Sequence, residues 1–172
     1  MLNHCEHPRG MKLSRAKQTK RRTWMMPQEV EVWYVLPAIR RELAKAMKNK
    51  PISRRNEEGE MVDHKITQKE IARMLGVTEP AITQYLLKKK GRRSRGDQVE
   101  IPDIILKEID KSADIMIQEF EKARESDEDI FEDMTREINR IIKVMRDEGI
   151  MCDIHKEFCA HVDDPCDACK TK

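Results

Sequence analysis

Apolar residues recur every three or four positions in three long stretches of the chain. The stretches run from 27 to 50, from 101 to 120 and from 130 to 145, and most of their apolar positions are Ile, Leu, Met or Val. This spacing matches the 3.6-residue period of an α-helix and predicts an amphipathic helix in each stretch. Pro37 lies inside the first stretch, so we expect it to kink that helix or to split it in two.

A fourth segment, ITQKEIARMLGVTEPAITQYLLKKK, has the pattern of a helix-turn-helix. Thr67 and Glu70 have the spacing of a capping box, which predicts where the first helix starts. Gly76 stands where the chain must turn sharply, because glycine tolerates a left-handed backbone. Thr78 is placed to cap the second helix, and Pro80 suits the first turn of that helix, where no N–H is needed.

The second helix of this unit is predicted to read DNA. A recognition helix contacts base edges in the major groove through residues near its N-terminus. Gln84 could pair with adenine, Thr83 could reach a base or a phosphate, and Glu79 could accept a hydrogen bond from cytosine. The basic residues that follow suit phosphate groups. The predicted DNA-binding residues are Gln68, Thr78, Glu79, Pro80, Thr83, Gln84, Lys88, Lys89, Lys90, Arg92 and Arg93.

The charge of the chain is divided unevenly, in agreement with a DNA-binding N-terminal half. Residues 1–22 carry seven Lys and Arg against one acid, and residues 65–96 carry nine against two. Residues 97–172 carry eleven against twenty-two, whereas residues 23–64 are balanced. The basic segments suit a polyanion, and the negative charge of the acidic segment should keep that half of the chain away from DNA.

The composition favours an all-α fold, because aromatic residues (4%), Gly (six) and Pro (seven) are all few for a chain of 172 residues. We expect a helix-turn-helix bundle followed by amphipathic helices and a small Cys-rich metal-binding tail. The stretch from 51 to 64 has the composition of a polar linker, and Met25 or Met26 is an alternative start of the chain. The predicted divisions are a basic disordered arm (1–24), a helix-turn-helix DNA-binding domain (25–96), an acidic helical dimerisation region (97–149) and the Cys-rich metal-binding tail (150–172).

Two stretches, VWYVLPAIRRELAKAM and ITQKEIARMLGVTEPAITQYL, resemble the predicted archaeal transcriptional regulators that carry a Cro/repressor-type helix-turn-helix. The same unit is similar to the DNA-binding module of archaeal thiamine-phosphate synthase fusions. The resemblance covers residues 25–95 and implies a DNA-binding regulator. It also implies paired Cys or Cys–His ligands behind the helix-turn-helix, which CDIH and CDAC match. A further upstream Cys pair of the relatives is missing, since this chain has INRIIKV there.

Four of the five cysteines lie in the stretch MCDIHKEFCAHVDDPCDACK. If a helix resumes after the preceding glycine, Cys152, His155 and Cys159 lie on one face of it, at offsets of 0, 3 and 7. The sequence VDDPC then breaks the helix, and the following loop can bring Cys166 and Cys169 back over that face. In a reducing compartment such a cluster is a metal or redox site more often than a disulfide framework.

Two metal sites are compatible with this spacing. Zinc would take Cys152, His155, Cys166 and Cys169 as tetrahedral ligands and leave Cys159 unused. A 4Fe-4S iron–sulfur cluster would take the four cysteines, with His155 as a neighbour or an alternative ligand. A thiol switch and cysteines without a special role are the remaining alternatives. A weaker candidate group, His4, Cys5 and His7, lies in the N-terminal arm.

These features together predict a sequence-specific transcriptional regulator that binds double-stranded DNA as a homodimer. Its metal-binding tail is expected to sense a signal or to stabilise the protein. The effector is not identified. The alternative is a zinc-stabilised adaptor or RNA-binding protein without a sensing role, but RNA binders interleave aromatic and basic residues, and residues 86–97 contain no aromatic residue. No phosphate loop, nucleophile elbow or HExxH motif occurs, so we expect no enzyme activity. We also expect a cytoplasmic location and no membrane partner, because a secretory signal and an apolar run of about 18 residues are both missing.

Overall fold

The computed structural model describes residues 24–87, 95–126 and 130–159. These residues are mostly helical, as predicted, with one two-stranded antiparallel sheet. None of the helices in these ranges is long and apolar enough to cross a membrane. The elements are α1 (Pro27–Val30), a π-helical turn (Glu31–Val35), α2 (Leu36–Lys48), β1 (Pro51–Arg55), β2 (Met61–Lys65), α3 (Gln68–Met74), α4 (Glu79–Leu86), a 3₁₀ turn (Arg95–Asp97), α5 (Asp103–Ser126), α6 (Phe131–Asp147) and α7 (Ile150–Phe158).

The π-helical turn lets the first helix continue through Pro37. Proline has no N–H, so the carbonyl group of Trp33, four residues earlier, loses its usual helical partner. Just before the proline the helix widens into the π-helical turn, in which the N–H of Leu36 donates to the carbonyl of Glu31. Leu36 itself keeps helical backbone angles, with φ −56° and ψ −46°. Pro37 therefore shifts the hydrogen-bond register of this helix and does not separate it into two.

The segment predicted to be a polar linker folds as a β-hairpin. β1 pairs antiparallel with β2, and Ile52 lies opposite His64. The side chain of Asn56 holds the turn, because its Oδ1 accepts hydrogen bonds from the N–H groups of Glu58 and Glu60. Among the ten strand residues only Ile52 is buried, so the sequence lacks the apolar alternation typical of a strand. The all-α prediction is wrong at this hairpin.

The two acidic helices pack on the N-terminal half of the same chain. α5 lies along α2, and α6 packs against α5. Their apolar stripes join one continuous core with the residues of α2, α3 and α4. The largest fully buried side chains of this core are Ile39, Leu43, Met47, Ile71, Met74, Leu75, Ile82, Ile105, Ile109, Met116, Ile141 and Met145. A second copy of the chain is therefore not required to cover these stripes.

Ion pairs between the two halves accompany this packing. Lys50, which follows α2, places its Nζ 2.9 Å from a carboxylate oxygen of Asp110 and 2.7 Å from one of Asp114, both on α5. Burial lowers the pKa of Lys50, but the hydrogen bonds and charges of the two aspartates outweigh it and the pKa is raised. Arg54 of β1 forms a bidentate pair with Glu121 of α5. Part of the acidic charge is thus paired with basic residues of the same chain.

A buried polar network joins α5 to α6. The hydroxyl group of Ser112 donates to Oε2 of Glu137 at 2.6 Å and accepts from Nη2 of Arg140 at 2.7 Å. Nε of Arg140 donates to the same carboxylate at 3.0 Å, and the guanidinium also contacts the carbonyl and carboxylate groups of Glu108. Ser112 is fully buried and Glu137 is 7% exposed. Each polar group taken out of water in this network has a charged or hydroxyl partner.

Candidate nucleic-acid interface and metal-ligand segment

The helix α3 begins at the predicted capping box, which the structure confirms. The N–H of Glu70 donates to Oγ1 of Thr67 at 3.3 Å, and the N–H of Thr67 donates to Oε2 of Glu70 at 2.9 Å. Arg54 lies 2.8 Å from the other carboxylate oxygen. Burial raises the pKa of Glu70, but the hydrogen bonds from Thr67 and Arg54 outweigh it and lower that pKa. The capping box therefore positions both α3 and the neighbouring hairpin.

The turn from α3 to α4 has the left-handed glycine that the sequence predicted. Gly76 has a φ of 59°, and a Cβ atom there would lie 3.4 Å from Sδ of Met134 on α6. Val77 is half-buried and packs against the core. Thr78 occupies the N-cap position of α4, but its side chain makes no capping hydrogen bond, so the prediction that its side chain caps this helix is wrong.

Of the four α4 residues that were predicted to contact DNA, three are exposed. Glu79, Pro80 and Gln84 are exposed, and Thr83 is half-buried. On the opposite side Ile82 is fully buried in the core, where α4 packs against α2 and α3. The polar face of α4 is therefore held outward by the burial of its apolar face.

A hydrogen bond connects the two helices at this polar face. Oγ1 of Thr83 donates to Oε1 of Gln68 at 2.8 Å, across fifteen positions of the sequence. Gln68 is the first residue of α3. Because its oxygen accepts from Thr83, the two N–H donors of its amide remain for an acceptor such as a phosphate oxygen. Two residues that were predicted as separate DNA contacts thus form one pair, in which Thr83 orients Gln68.

The basic part of the predicted interface lies outside the described residues. It comprises Lys88, Lys89, Lys90, Arg92 and Arg93. Within the described residues, Lys69 is exposed on α3 directly after Gln68 and was missing from the predicted set. Its position in the first turn of the first helix was the signal that could have identified it. Arg73 of α3 contacts α5 instead, with its guanidinium carbon 5.9 Å from the ring centre of Phe120.

The cysteine-rich segment begins with the helix α7. Gly149 has a φ of 74° and separates α6 from α7, which starts at the next residue. α7 packs against α1 and α6. The ring of Phe158, its last residue, stacks on Tyr34 of the π-helical turn with ring centres 3.9 Å apart. The start of the tail is therefore anchored to the N-terminal helix, as well as to the helix that precedes it.

The candidate ligands in the described part of this segment are buried. The exposed fractions are 4% for Cys152, 6% for His155 and 6% for Cys159, which follows the last residue of α7 in an extended conformation. Nε2 of His155 lies 2.6 Å from the carbonyl oxygen of Met25. A carbonyl oxygen only accepts, so Nε2 carries a proton and donates it to Met25.

Nδ1 of His155 is buried and has no hydrogen-bond partner among the described residues. An unpaired buried acceptor costs about 1–3 kcal/mol, which a ligand at Nδ1 would recover. Metal-ligating histidines commonly donate their other N–H to a backbone carbonyl, as His155 does to Met25. The donor set of this segment therefore fits a metal ion.

The described residues alone do not complete a metal site. Within 24–87, 95–126 and 130–159, no three His, Cys, Asp or Glu side chains are grouped so that they could hold a metal ion. Cys166 and Cys169 lie outside these ranges. Any metal site that includes His155 therefore needs ligands from outside the described residues.

Comparisons of the chain with protein-family models, curated proteins and solved structures found no match. They neither support nor contradict the resemblance to archaeal regulators, which stays a prediction. The polar face of α3 and α4 and the buried candidate ligands of α7 are the features of the chain that indicate a function.

Proposed function

We propose that the chain is a sequence-specific DNA-binding transcriptional regulator of the Cro/repressor-type helix-turn-helix class. One observation carries the proposal: α4 follows α3 through a left-handed turn at Gly76 and exposes the polar residues of its first turns while its apolar face is buried. This is the arrangement in which a recognition helix enters the major groove. The basic run 88–93 follows α4 directly in sequence and supplies positive charge for phosphates.

The proposed contacts divide into base-reading and phosphate-binding residues. Gln84 and Glu79 read base edges from the exposed face of α4. Gln68, oriented by Thr83, binds the backbone at the start of α3, and Lys69 adds a positive charge beside it. The lysines and arginines of 88–93 bind phosphates without regard to sequence.

The remaining features complete the proposal. The protein binds as a homodimer, because one helix-turn-helix reads a single half-site and a two-fold operator needs two. Ile104, Ile115 and Phe131 are large exposed apolar side chains on the acidic helical half and provide apolar surface for the second copy. The tail holds zinc or a 4Fe-4S cluster, which senses a signal or stabilises the protein. The protein acts by binding and not by catalysis.

Gel-shift titrations with Gln84→Ala test the recognition helix. The probe is a DNA sequence selected from a random library by the full-length protein. A bidentate base contact discriminates by about 1–3 kcal/mol, so the variant should lose about 5- to 150-fold in affinity for the selected sequence and little for unrelated DNA. Lys89→Ala should weaken binding to both DNAs and should reduce the dependence of affinity on salt.

Gln118→Ala is the matched control, because Gln118 is an exposed glutamine on α5, outside the helix-turn-helix. It should leave both affinities unchanged. If Gln84→Ala and Lys89→Ala also retained full affinity and specificity, the assignment of α4 as a recognition helix would be wrong. If the full-length protein selected no DNA sequence, the proposed function as a whole would be wrong.

A further inference from the structure

We propose that Glu121 of α5 is a positioning residue for DNA binding, which holds Gln68 at the start of α3 in place through Arg54 and the capping box. The inference rests on the proposed function and adds to it a residue of the acidic helical half that acts on DNA binding through other residues. The side chains that carry it lie on α5, β1 and at the start of α3, within the described part of the chain.

The guanidinium group of Arg54 joins two carboxylates from different helices. Its Nε donates to Oε2 of Glu121 at 2.9 Å, and its Nη2 donates to Oε1 of the same carboxylate. Nη2 also lies 2.8 Å from Oε1 of Glu70 on α3. A planar guanidinium that binds a carboxylate through two nitrogens fixes the direction of the contact as well as its length. The position of Glu70 therefore depends on α5 as well as on its own helix.

The second carboxylate oxygen of Glu70 carries the connection to the start of α3. Oε2 accepts hydrogen bonds from the N–H of Thr67 at 2.9 Å and from the hydroxyl group of Thr67 at 2.8 Å. Thr67 is the N-cap, so Gln68 follows it directly as the first residue of the helix. The amide oxygen of Gln68 accepts from Thr83 on α4. The start of α3 is thus fixed from two sides, by α5 through Arg54 and by α4.

A separate contact ties the end of α3 to α5. The guanidinium carbon of Arg73 lies 5.9 Å from the ring centre of Phe120, the residue before Glu121. α3 is therefore held on α5 near both of its ends. Removing the carboxylate of Glu121 leaves the contact at Phe120 in place and releases only the start of the helix. We expect a local change at residues 67–70 without loss of the helix.

The affinity of Glu121→Ala for DNA separates positioning from simple electrostatics. Removing an acidic charge should by itself strengthen binding to a polyanion. If Glu121 positions Gln68, the variant should instead bind the selected DNA sequence about two- to tenfold more weakly, the change that corresponds to one lost hydrogen bond.

Glu119→Ala is the matched control, because Glu119 lies on the same helix, has a side chain that is 34% exposed and pairs with Lys122 of α5. It removes the same charge, so it should bind the selected DNA as tightly as the unaltered protein or more tightly. Equal affinities of Glu119→Ala and Glu121→Ala would overturn the proposal.

A double-mutant cycle with Gln68→Ala identifies the residue through which Glu121 acts. Gln68→Ala alone should weaken binding by a similar factor, since it removes the side chain that contacts the DNA backbone. Adding Glu121→Ala should then cause little further loss, because no side chain remains to be positioned. Losses that multiply would show that Glu121 acts elsewhere, for example on general stability, and would contradict the proposal. Full affinity of Gln68→Ala would contradict it as well.

NMR of the free protein tests the positioning without DNA. The backbone amide resonances of 67–70 and the side-chain amide resonance of Gln68 should shift in Glu121→Ala and stay in place in Glu119→Ala. The amides of 67–70 should also exchange faster with solvent in Glu121→Ala. Circular dichroism verifies that both variants are folded. Unchanged resonances in a folded Glu121→Ala would overturn the inference, whereas the proposed function fails separately, when the unaltered protein selects no DNA sequence.

Discussion

Replacing Arg140 by Met should destabilise the protein by removing the cation of the network between α5 and α6. The carboxylate of Glu137 would then keep only the hydroxyl group of Ser112 among its hydrogen-bond partners in the described part of the chain. Breaking a fully buried ion pair costs about 3–5 kcal/mol. The side chain of Arg140 is 34% exposed, so water replaces part of the lost interaction. We therefore expect a loss of about 2–3 kcal/mol.

Urea denaturation followed by circular dichroism would measure this loss as a change in the free energy of unfolding. Arg136→Met is the matched control, because Arg136 lies on the same helix, is 68% exposed and pairs only with Asp133 at 2.8 Å in the described part of the chain. It should cost about 0–1 kcal/mol. Adding Glu137→Met to Arg140→Met should restore much of the stability, since an apolar pair leaves no buried charge. Equal losses for Arg140→Met and Arg136→Met, or no recovery in the double variant, would refute this account of the network.

Two further predictions concern the helix-turn-helix. Because the pKa of Glu70 is lowered in the folded protein, its contribution to stability is present above its ordinary value of 4.5 and is lost as the pH falls through the folded-state value. In Glu70→Gln, the free energy of unfolding should depend less steeply on pH below 4.5, and an unchanged slope would contradict this. Gly76→Ala should cost about 1–2 kcal/mol for its left-handed backbone, with no added steric cost, because the new Cβ atom would lie 3.4 Å from Sδ of Met134, at van der Waals contact. Gly149 also has a left-handed backbone and no neighbour within 4 Å of an added Cβ atom, so Gly149→Ala should cost a similar amount, and a much larger loss for Gly76→Ala in urea denaturation would contradict this.

Local signals explain how much of the candidate interface could be predicted from the sequence. The capping box of Thr67 and Glu70 and the left-handed turn at Gly76 depend on residues within a few positions of each other. Thr78 shows the limit of such signals, because its residue type suits a cap but its side chain makes no capping bond. The bond from Thr83 to Gln68 joins two helices, so no short motif could indicate it.

The hairpin was missed for a different reason. A strand is recognised by apolar residues on alternate positions, and here Ile52 alone is buried. Pairing with β2, the turn at Asn56 and the bond of Arg54 to Glu121 hold the strands in place without an apolar stripe. Polar strands of this kind are defined by their neighbours and not by their own pattern.

The sequence by itself determined the helices, their apolar faces and the residue types of both candidate sites, because helical periodicity and capping act over a few residues. Only the tertiary structure decided what those faces cover. α5 and α6 could have packed on the N-terminal unit, on the tail or on a second copy, and they share the core of α2. His155 and Met25 are 130 positions apart, and their contact determines that Nδ1, and not Nε2, is the ring nitrogen without a partner among the described residues. Burial and long-range contacts depend on the packing of the whole chain, which no local pattern encodes.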